Sequence, residues 1–346
     1  MTTHQDMMTQ DMMVTTRGLF DHLAGEGARD VKVEQSALTG GTEASEVALM
    51  TIRYCDHRGR SRQLRLVVKR LSGRAAREAA VYRRLVSAHA CNLAPRLLAV
   101  GHPEQGSVLL CIEAIRRVRA WPWHDLRIGR ELLVRLARFH LSAARARTAV
   151  PEWDYEAELA IAAEATRTAI DACRVHPDLS VLARDLRVVE RMVLEHRRLR
   201  RQLMAEAPFG CRPIHGDVHS GNALVCRRGN ALVPVLLDWG RARLGSPLED
   251  VSSWLQTLRR WEPEAQRCHD TLLGAYLSAL GMERTLNAQV RGAYWMAGAS
   301  NALAGALLHH LSIAADPGLG TARRRVAFEA ARDWLRVVRR AHAWWT

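Results

Sequence analysis

From Val31 onward, apolar and polar residues alternate with a period of two, the spacing of a strand with one buried face. Val31–Leu38 follows it, Thr39-Gly40-Gly41-Thr42 supplies turn residues, and Val47–Tyr54 alternates again. A polar turn at Asp56–Gly59 then leads into Gln63–Arg70, which predicts a β-meander. Between Arg74 and His89 the apolar positions (Ala75, Ala79, Val81, Tyr82, Leu85, Val86) move to helical spacing. Pro95–Val100 and Ser107–Ile112 read as two further strands. The first third of the chain is therefore expected to form a five-stranded sheet, with one helix inserted after the third strand.

Beyond Trp121 the period is helical. Helices are predicted at about 125–147, 155–174, 180–205, 247–259, 263–280, 287–312 and 320–342, interrupted by a β interlude at 211–238. The stretch Glu113–Trp123, holding Pro122 and two tryptophans, marks a hinge between two lobes. The expected class is α+β: a tail over 1–30, a small β lobe over 31–115, and a larger, mainly helical lobe over 116–346.

Composition narrows the class. A chain of 346 residues, 48% hydrophobic and 25% charged, can bury a full core and is neither disordered nor fibrous. Its net charge is +14, yet only Lys32 and Lys69 are lysines; the other 48 basic residues are arginines. The arginines are spread along helical segments such as Arg197–Arg201 and Arg323–Arg325, without a zinc, basic-zipper or RNP-type motif. Solvated helix faces account for them better than nucleic acid does, and no nucleic-acid partner is expected. Seven scattered cysteines without a Cys-x-x-Cys pair predict reduced thiols and a cytoplasmic protein. Met1–Val14 lacks the basic and apolar regions of a signal peptide, and the Ala-rich run 293–311 suits a buried helix better than a membrane span.

The candidate chemistry is concentrated at Ile214-His215-Gly216-Asp217-Val218-His219-Ser220-Gly221-Asn222. Asp217 and Asn222 have the spacing of a kinase catalytic loop, in which the Asp serves the nucleophile and the Asn holds Mg²⁺. Asp238 follows the apolar run 232–237 and would supply a second hard oxygen to the metal at the exit of a buried strand. An Asp-x4-Asn by itself also fits a plain Asx-turn. Lys69 closes Leu66-Val67-Val68, where an ammonium on a rigid strand could reach the phosphates of a nucleotide, and Glu78 in the next helix could pair with it. Gly40, Gly41 and Thr42 could close over phosphates or simply form a hairpin turn. There is no P-loop and no dinucleotide fingerprint. Together these parts predict a phosphotransferase that uses ATP and Mg²⁺.

The order Gly40-Gly41, Val-Val-Lys69, Arg-Glu78-Ala-Ala-Val-Tyr, His-Gly-Asp217-x4-Asn222 and Leu-Leu-Asp238-Trp resembles the aminoglycoside phosphotransferase and choline kinase superfamily. The likeness covers about 31–260, and Gly245-Ser-Pro247-Leu-Glu-Asp250 fits the family's Gly-Asp-Pro-x-x-Asp continuation. The resemblance implies a two-lobed, protein-kinase-like fold with ATP in the cleft. It also implies that the backbone around Glu113 and Ile115 holds the adenine, and that Asp250 is a structural anchor. The chain departs from many members at Gly240, where an acidic residue is common, and in the Thr-Glu-Ala-Ser that follows the glycine pair.

The acceptor is expected to be the hydroxyl of a small molecule: an aminoglycoside, an amino sugar or an amino alcohol. Residues 152–171 carry six acids against one arginine, Arg167, and with Trp153 and Tyr155 they form either a site for a cationic substrate or a solvated helix face. A pseudokinase that binds nucleotide without turnover and a basic nucleic-acid-binding protein are the alternative classes. Oligomeric state is not legible in the sequence.

Overall fold

The computed structural model describes residues 23, 27–38, 46–101, 106–205, 209–282 and 286–345. The chain divides into two compact units. One comprises Met1–Arg117 with Val235–Gly240, the other Val118–Pro234 with Arg241–Thr346.

The first unit is built on an antiparallel sheet in the order β1-β2-β3-β5-β4, with β1 Arg29–Ala37, β2 Glu46–Cys55, β3 Ser61–Ser72, β4 Leu97–Val100 and β5 Ser107–Glu113. Alternation along the strands sorts the faces as the sequence predicts. Ala48, Met50 and Ile52 of β2 join Leu66 and Val68 of β3, and Cys111 of β5, in one buried cluster. Because successive side chains point to opposite faces, Lys69 leaves that cluster and stands on the other side of the sheet. The predicted helix at 74–89 is a composite of a 3₁₀ turn, α1 (Arg77–Val81), a π-turn at Tyr82–Val86 and α2 (Ser87–His89). Its inner face is Glu78, Val81, Tyr82, Leu85 and Val86.

Val235–Gly240 is tied to this unit by three contacts. The Leu236 N–H donates to the Leu93 carbonyl (2.7 Å), Arg77 Nη1 donates to the Gly240 carbonyl (2.8 Å), and Asp238 pairs with Lys69.

The second unit is mainly helical: α3 (Leu126–Ser142), α4 (Tyr155–Ala172), α5 (Leu186–Ala205), α6 (Pro247–Trp261), α7 (Pro263–Arg267), α8 (His269–Ala279), α9 (Ala288–Asn301), α10 (Leu307–Ala315) and α11 (Thr321–Trp345). Caps set several starts. Asp125, Asp154 and Asn287 accept the N–H of Arg127, Ala157 and Val290, and Pro247 opens α6. The β interlude is β6 (Arg212–Ile214), β7 (Ala223–Arg228) and β8 (Ala231–Leu236), and β7 pairs with β8.

Boundaries differ from the sequence reading at several places, and the helix expected at 125–147 ends at Ser142. The helix expected at 263–280 is broken at Cys268, and the one expected at 287–312 is interrupted at Gly305 (φ 129°) within a π-turn at Ala302–Ala306. The segment 180–205 begins as a 3₁₀ turn, Ser180–Asp185. A short strand β9 (Arg243–Gly245), not anticipated, pairs with β6. No helix among the described residues is long and apolar enough to cross a membrane, and all seven cysteines are free thiols.

Candidate active site

In the first unit the candidate chemistry gathers on Lys69. Its strand position and the inner face of the composite helix bring the ammonium onto both Glu78 oxygens (2.9 and 3.1 Å) and onto Asp238 Oδ1. Lys69 and Glu78 are buried, whereas the Asp238 side chain is 48% exposed. Burial alone would push the lysine down, but the carboxylates of Glu78 and Asp238 outweigh it and hold Lys69 above its ordinary value. Tyr82 is fully buried, with its hydroxyl unpartnered among the described residues. Burial first, then Glu78 and Asp238, push that phenol well up.

Asp238 has a left-handed backbone (φ 54°), one of two such non-glycine residues described. That conformation is sterically costly for most side chains and is tolerated best by Asn and Asp. The turn is fixed by Trp239, whose buried indole N–H donates to the Leu236 carbonyl (3.1 Å).

At the end of β5, Glu113 uses its N–H on the Arg96 carbonyl (2.9 Å), and its side chain accepts from the Arg96 N–H. Ile115 lies two residues beyond the last residue of β5. The predicted phosphate loop, Gly40, Gly41 and Thr42, lies outside the described residues.

In the second unit the residues from β6 to β7 form a tightly determined loop. The N–H groups of His215 and Gly216 both donate to the Asp250 carboxylate (2.8 Å each). His140 Nε2 lies 3.1 Å from the same carboxylate, and His140 Nδ1 is 2.8 Å from the Tyr276 hydroxyl. Burial raises Asp250, but the His140 hydrogen bond, the charges of His140 and His215, and the Gly216 N–H overcome it, so Asp250 sits below the usual carboxylate value. Its place in the first turn of α6 adds a favourable helix dipole. This is the anchoring role the resemblance implies.

Gly216 is left-handed (φ 83°), and a Cβ there would collide with Arg243 Nη1 and the Arg241 carbonyl. The chain can make this corner only with glycine.

Asp217 follows directly. Its N–H donates to His215 Nδ1 (3.2 Å), and Asn222 Nδ2 donates to its carboxylate (2.9 Å) and to its carbonyl (3.1 Å). The amide nitrogen of Asn222 is therefore turned to Asp217, which leaves the Asn222 Oδ1 for another partner. His219 Nε2 stands 3.7 Å from the Asp217 carboxylate, which keeps 37% of its side chain exposed. Burial pushes Asp217 up, but His219, aided by the charges of His215 and Arg241, holds it below the usual range. It is an ionised, accessible acceptor in a fixed loop.

Asp217 and Asn222 thus meet in one loop, and Glu78 pairs with Lys69 as expected; the contact of Lys69 with Asp238 was not anticipated. Among the described residues no three His, Cys, Asp or Glu side chains cluster around a common metal position. Mg²⁺ takes hard oxygen donors. An Asn oxygen and an Asp oxygen are the right donor chemistry for it.

Of the two readings of 152–171, the ring contacts do not favour the site for a cationic substrate. Tyr155 is buried beneath Arg243 (3.9 Å from ring centroid to guanidinium carbon) and near Arg200 (5.0 Å), and Trp153 is faced by Arg241 (5.2 Å). Glu156 pairs with Arg200, Glu164 with Arg167, Asp171 with Arg174, and Glu158 accepts from the Trp153 indole. Three of the six acids, Glu156, Glu164 and Asp171, are thus paired with arginines, and Arg200, Arg241 and Arg243 from other elements lie against the two rings. The sequence reading missed Arg200, Arg243, Glu249 and His140. Nothing in the local pattern sets those two arginines apart from the other 46.

The family model for the phosphotransferase enzyme family matches residues 39–288. A comparison with curated proteins finds no match. Spectinomycin phosphotransferase APH(9)-Ia, in complex with ADP and spectinomycin, is similar with a TM-score of 0.57 and 11% identity over 97% of this chain and 98% of that one. The GDP and kanamycin complex of APH(2'')-IIIa is similar with a TM-score of 0.54 and 15% identity over 96% of this chain and 98% of that one. These likenesses carry the fold, and the family match covers most of the sequence. The chain belongs to the phosphotransferase enzyme family.

Proposed function

We propose that the protein transfers the γ-phosphoryl group of Mg-ATP to a hydroxyl of a small molecule. The observation that carries this reading is Asp217: ionised, accessible, and held by Asn222 in a loop whose backbone is clamped on Asp250. In the proposed step, the Asp217 carboxylate accepts a hydrogen bond from the acceptor hydroxyl. The hydroxyl oxygen then bonds to the γ-phosphorus, the bond from that phosphorus to the β–γ bridging oxygen breaks, and Asp217 takes the proton as ADP forms. Lys69, steadied by Glu78, is assigned to the nucleotide phosphates, and the backbone at Glu113 and Ile115 to the adenine. Gly40, Gly41 and Thr42 are assigned to phosphate covering. Asn222 Oδ1 and Asp238 would hold Mg²⁺, which when bound neutralises charge developing on the phosphates.

In this reading 31–115 is the nucleotide-binding lobe and 116–346 the catalytic and substrate-binding lobe. The acceptor class is an aminoglycoside, amino sugar or amino alcohol. Support for it comes from the spectinomycin and kanamycin named for the similar structures, rather than from the segment 152–171. A cytoplasmic location, where ATP is available, completes the proposal.

The test is ADP release from Mg-ATP across a panel of aminoglycosides, amino sugars and amino alcohols, with neutral polyols as comparators. Acceptor-dependent release that needs Mg²⁺ is expected. Thermal stabilisation by Mg-ATP with no turnover of any acceptor would indicate a nucleotide-binding pseudokinase and refute the reading.

A further inference from the structure

Four charged side chains unassigned in the proposed chemistry lie in and beside the core of the second unit. Arg200, Arg243 and Glu249 are 1%, 3% and 1% exposed, and Glu156 is half-buried. Glu249 links the arginines: its Oε1 accepts from Arg200 Nε (2.9 Å), and its Oε2 from Arg243 Nη2 (2.8 Å). Arg200 also pairs with Glu156, and Arg243 Nη2 donates to the Tyr155 hydroxyl (3.2 Å). The tetrad is neutral overall. Burying such ions costs several kcal/mol each, and well-packed apolar side chains would stabilise the same space at least as well. Stability alone is therefore a weak reason for this arrangement.

What an apolar core could not supply is the remaining contact. Arg243 Nη1 donates to the Gly216 carbonyl at 2.8 Å. That carbonyl belongs to the peptide joining Gly216 to Asp217. Asp250 holds the two preceding N–H groups, so the corner is gripped by acceptors on one side and by a charged donor on the other. Without Arg243, the peptide leading into Asp217 loses the donor on its carbonyl and keeps the 3.2 Å contact of its N–H with His215 Nδ1, next to the two N–H groups held by Asp250.

We infer that Arg243, oriented by Glu249 and Tyr155, is a positioning residue that sets the direction of the Asp217 carboxylate toward the acceptor. It rests on the reading of Asp217 as the base, and it adds a residue that acts on the base through the backbone. The planar fork of arginine is essential, because one guanidinium serves both the Gly216 carbonyl and the Glu249 carboxylate.

The test uses the full-length protein with Arg243→Met and Arg243→Lys. Per folded molecule, kcat is expected to fall about 30-fold or more in Arg243→Met and by less in Arg243→Lys, with KM for ATP within about twofold of wild type, as a misplaced catalytic group loses transition-state rather than ground-state contacts. Amide hydrogen exchange without ligands, followed on a peptide spanning 214–222, is expected to speed up in both variants while exchange in α8 stays as in wild type. Should Arg243→Met fail to fold, Arg243→Lys, which keeps the buried charge, carries the test alone. Wild-type kcat in a folded variant, or a loss explained wholly by a smaller folded fraction, overturns the inference. Unchanged exchange at 214–222 also overturns it. The exchange measurement needs no acceptor, so it distinguishes this failure from that of the proposed reaction.

Discussion

The neighbourhoods of Lys69 and Asp217 are held by opposite means. Lys69 is fixed by charge alone: one ammonium between two carboxylates, one buried and one half exposed. The Asp217 loop is fixed mainly through its backbone, with the His215 and Gly216 N–H groups on Asp250, the Gly216 carbonyl on Arg243 and a left-handed glycine, while Asn222 holds the carboxylate. Charge pairs between side chains can exchange partners when a polyanion arrives, whereas a clamped loop keeps its geometry in any state. The first arrangement suits a group that must accept a nucleotide. The second suits a base that must already be aimed.

The contrast can be broken from either side. The largest effect is expected for Asp238→Ala, which should reduce Mg-ATP-dependent turnover to background in the ADP-release assay; wild-type rates would remove Asp238 from the metal assignment. Asp250→Ala comes next. It leaves His140 and two buried N–H groups without their acceptor, and urea unfolding should show a loss of about 3–5 kcal/mol. The sign with pH follows from the lowered Asp250 value. Its contribution is complete above the ordinary 3.8 and is lost as pH falls through the folded value, so the gap between variant and wild type should narrow in acid.

Lys69→Ala should act chiefly on the nucleotide, raising KM for ATP about tenfold or more with a smaller change in kcat. Because Lys69 is raised, its contribution to stability is complete below 10.5 and is lost only as pH rises through the higher folded value. Melting curves of wild type and variant should therefore stay parallel through neutral pH and converge in strong alkali. The smallest effect is expected for His219→Ala. Without that neighbour Asp217 should titrate higher, moving the acid limb of kcat/KM upward; an unmoved limb would mean that His219 does not tune the base.

Much of this was legible in the sequence, and for a physical reason. Lys69 and Asp217 sit in short segments whose geometry is local: a strand of period two places Lys69 opposite the Leu66 and Val68 face, and Gly216 permits the corner before Asp217. Asp250 could be named as an anchor because the family's spacing includes it. Arg243 could not, since its function depends on Glu249 and Tyr155 from other elements, and an arginine in a chain with 48 of them carries no signal. The same non-local packing pairs Glu156 with Arg200 and sets Arg241 and Arg243 against Trp153 and Tyr155. Helix breaks at Cys268 and Gly305 were missed because the apolar period continues across them.

The most direct measurement is the single-turnover rate of phosphoryl transfer in Asp217→Asn at saturating Mg-ATP, alongside thermal stabilisation by the same nucleotide. Loss of a positioned base should slow transfer by about 10²–10⁴-fold while the nucleotide-induced shift in Tm stays at its wild-type size. Transfer at the wild-type rate in this variant would contradict the account.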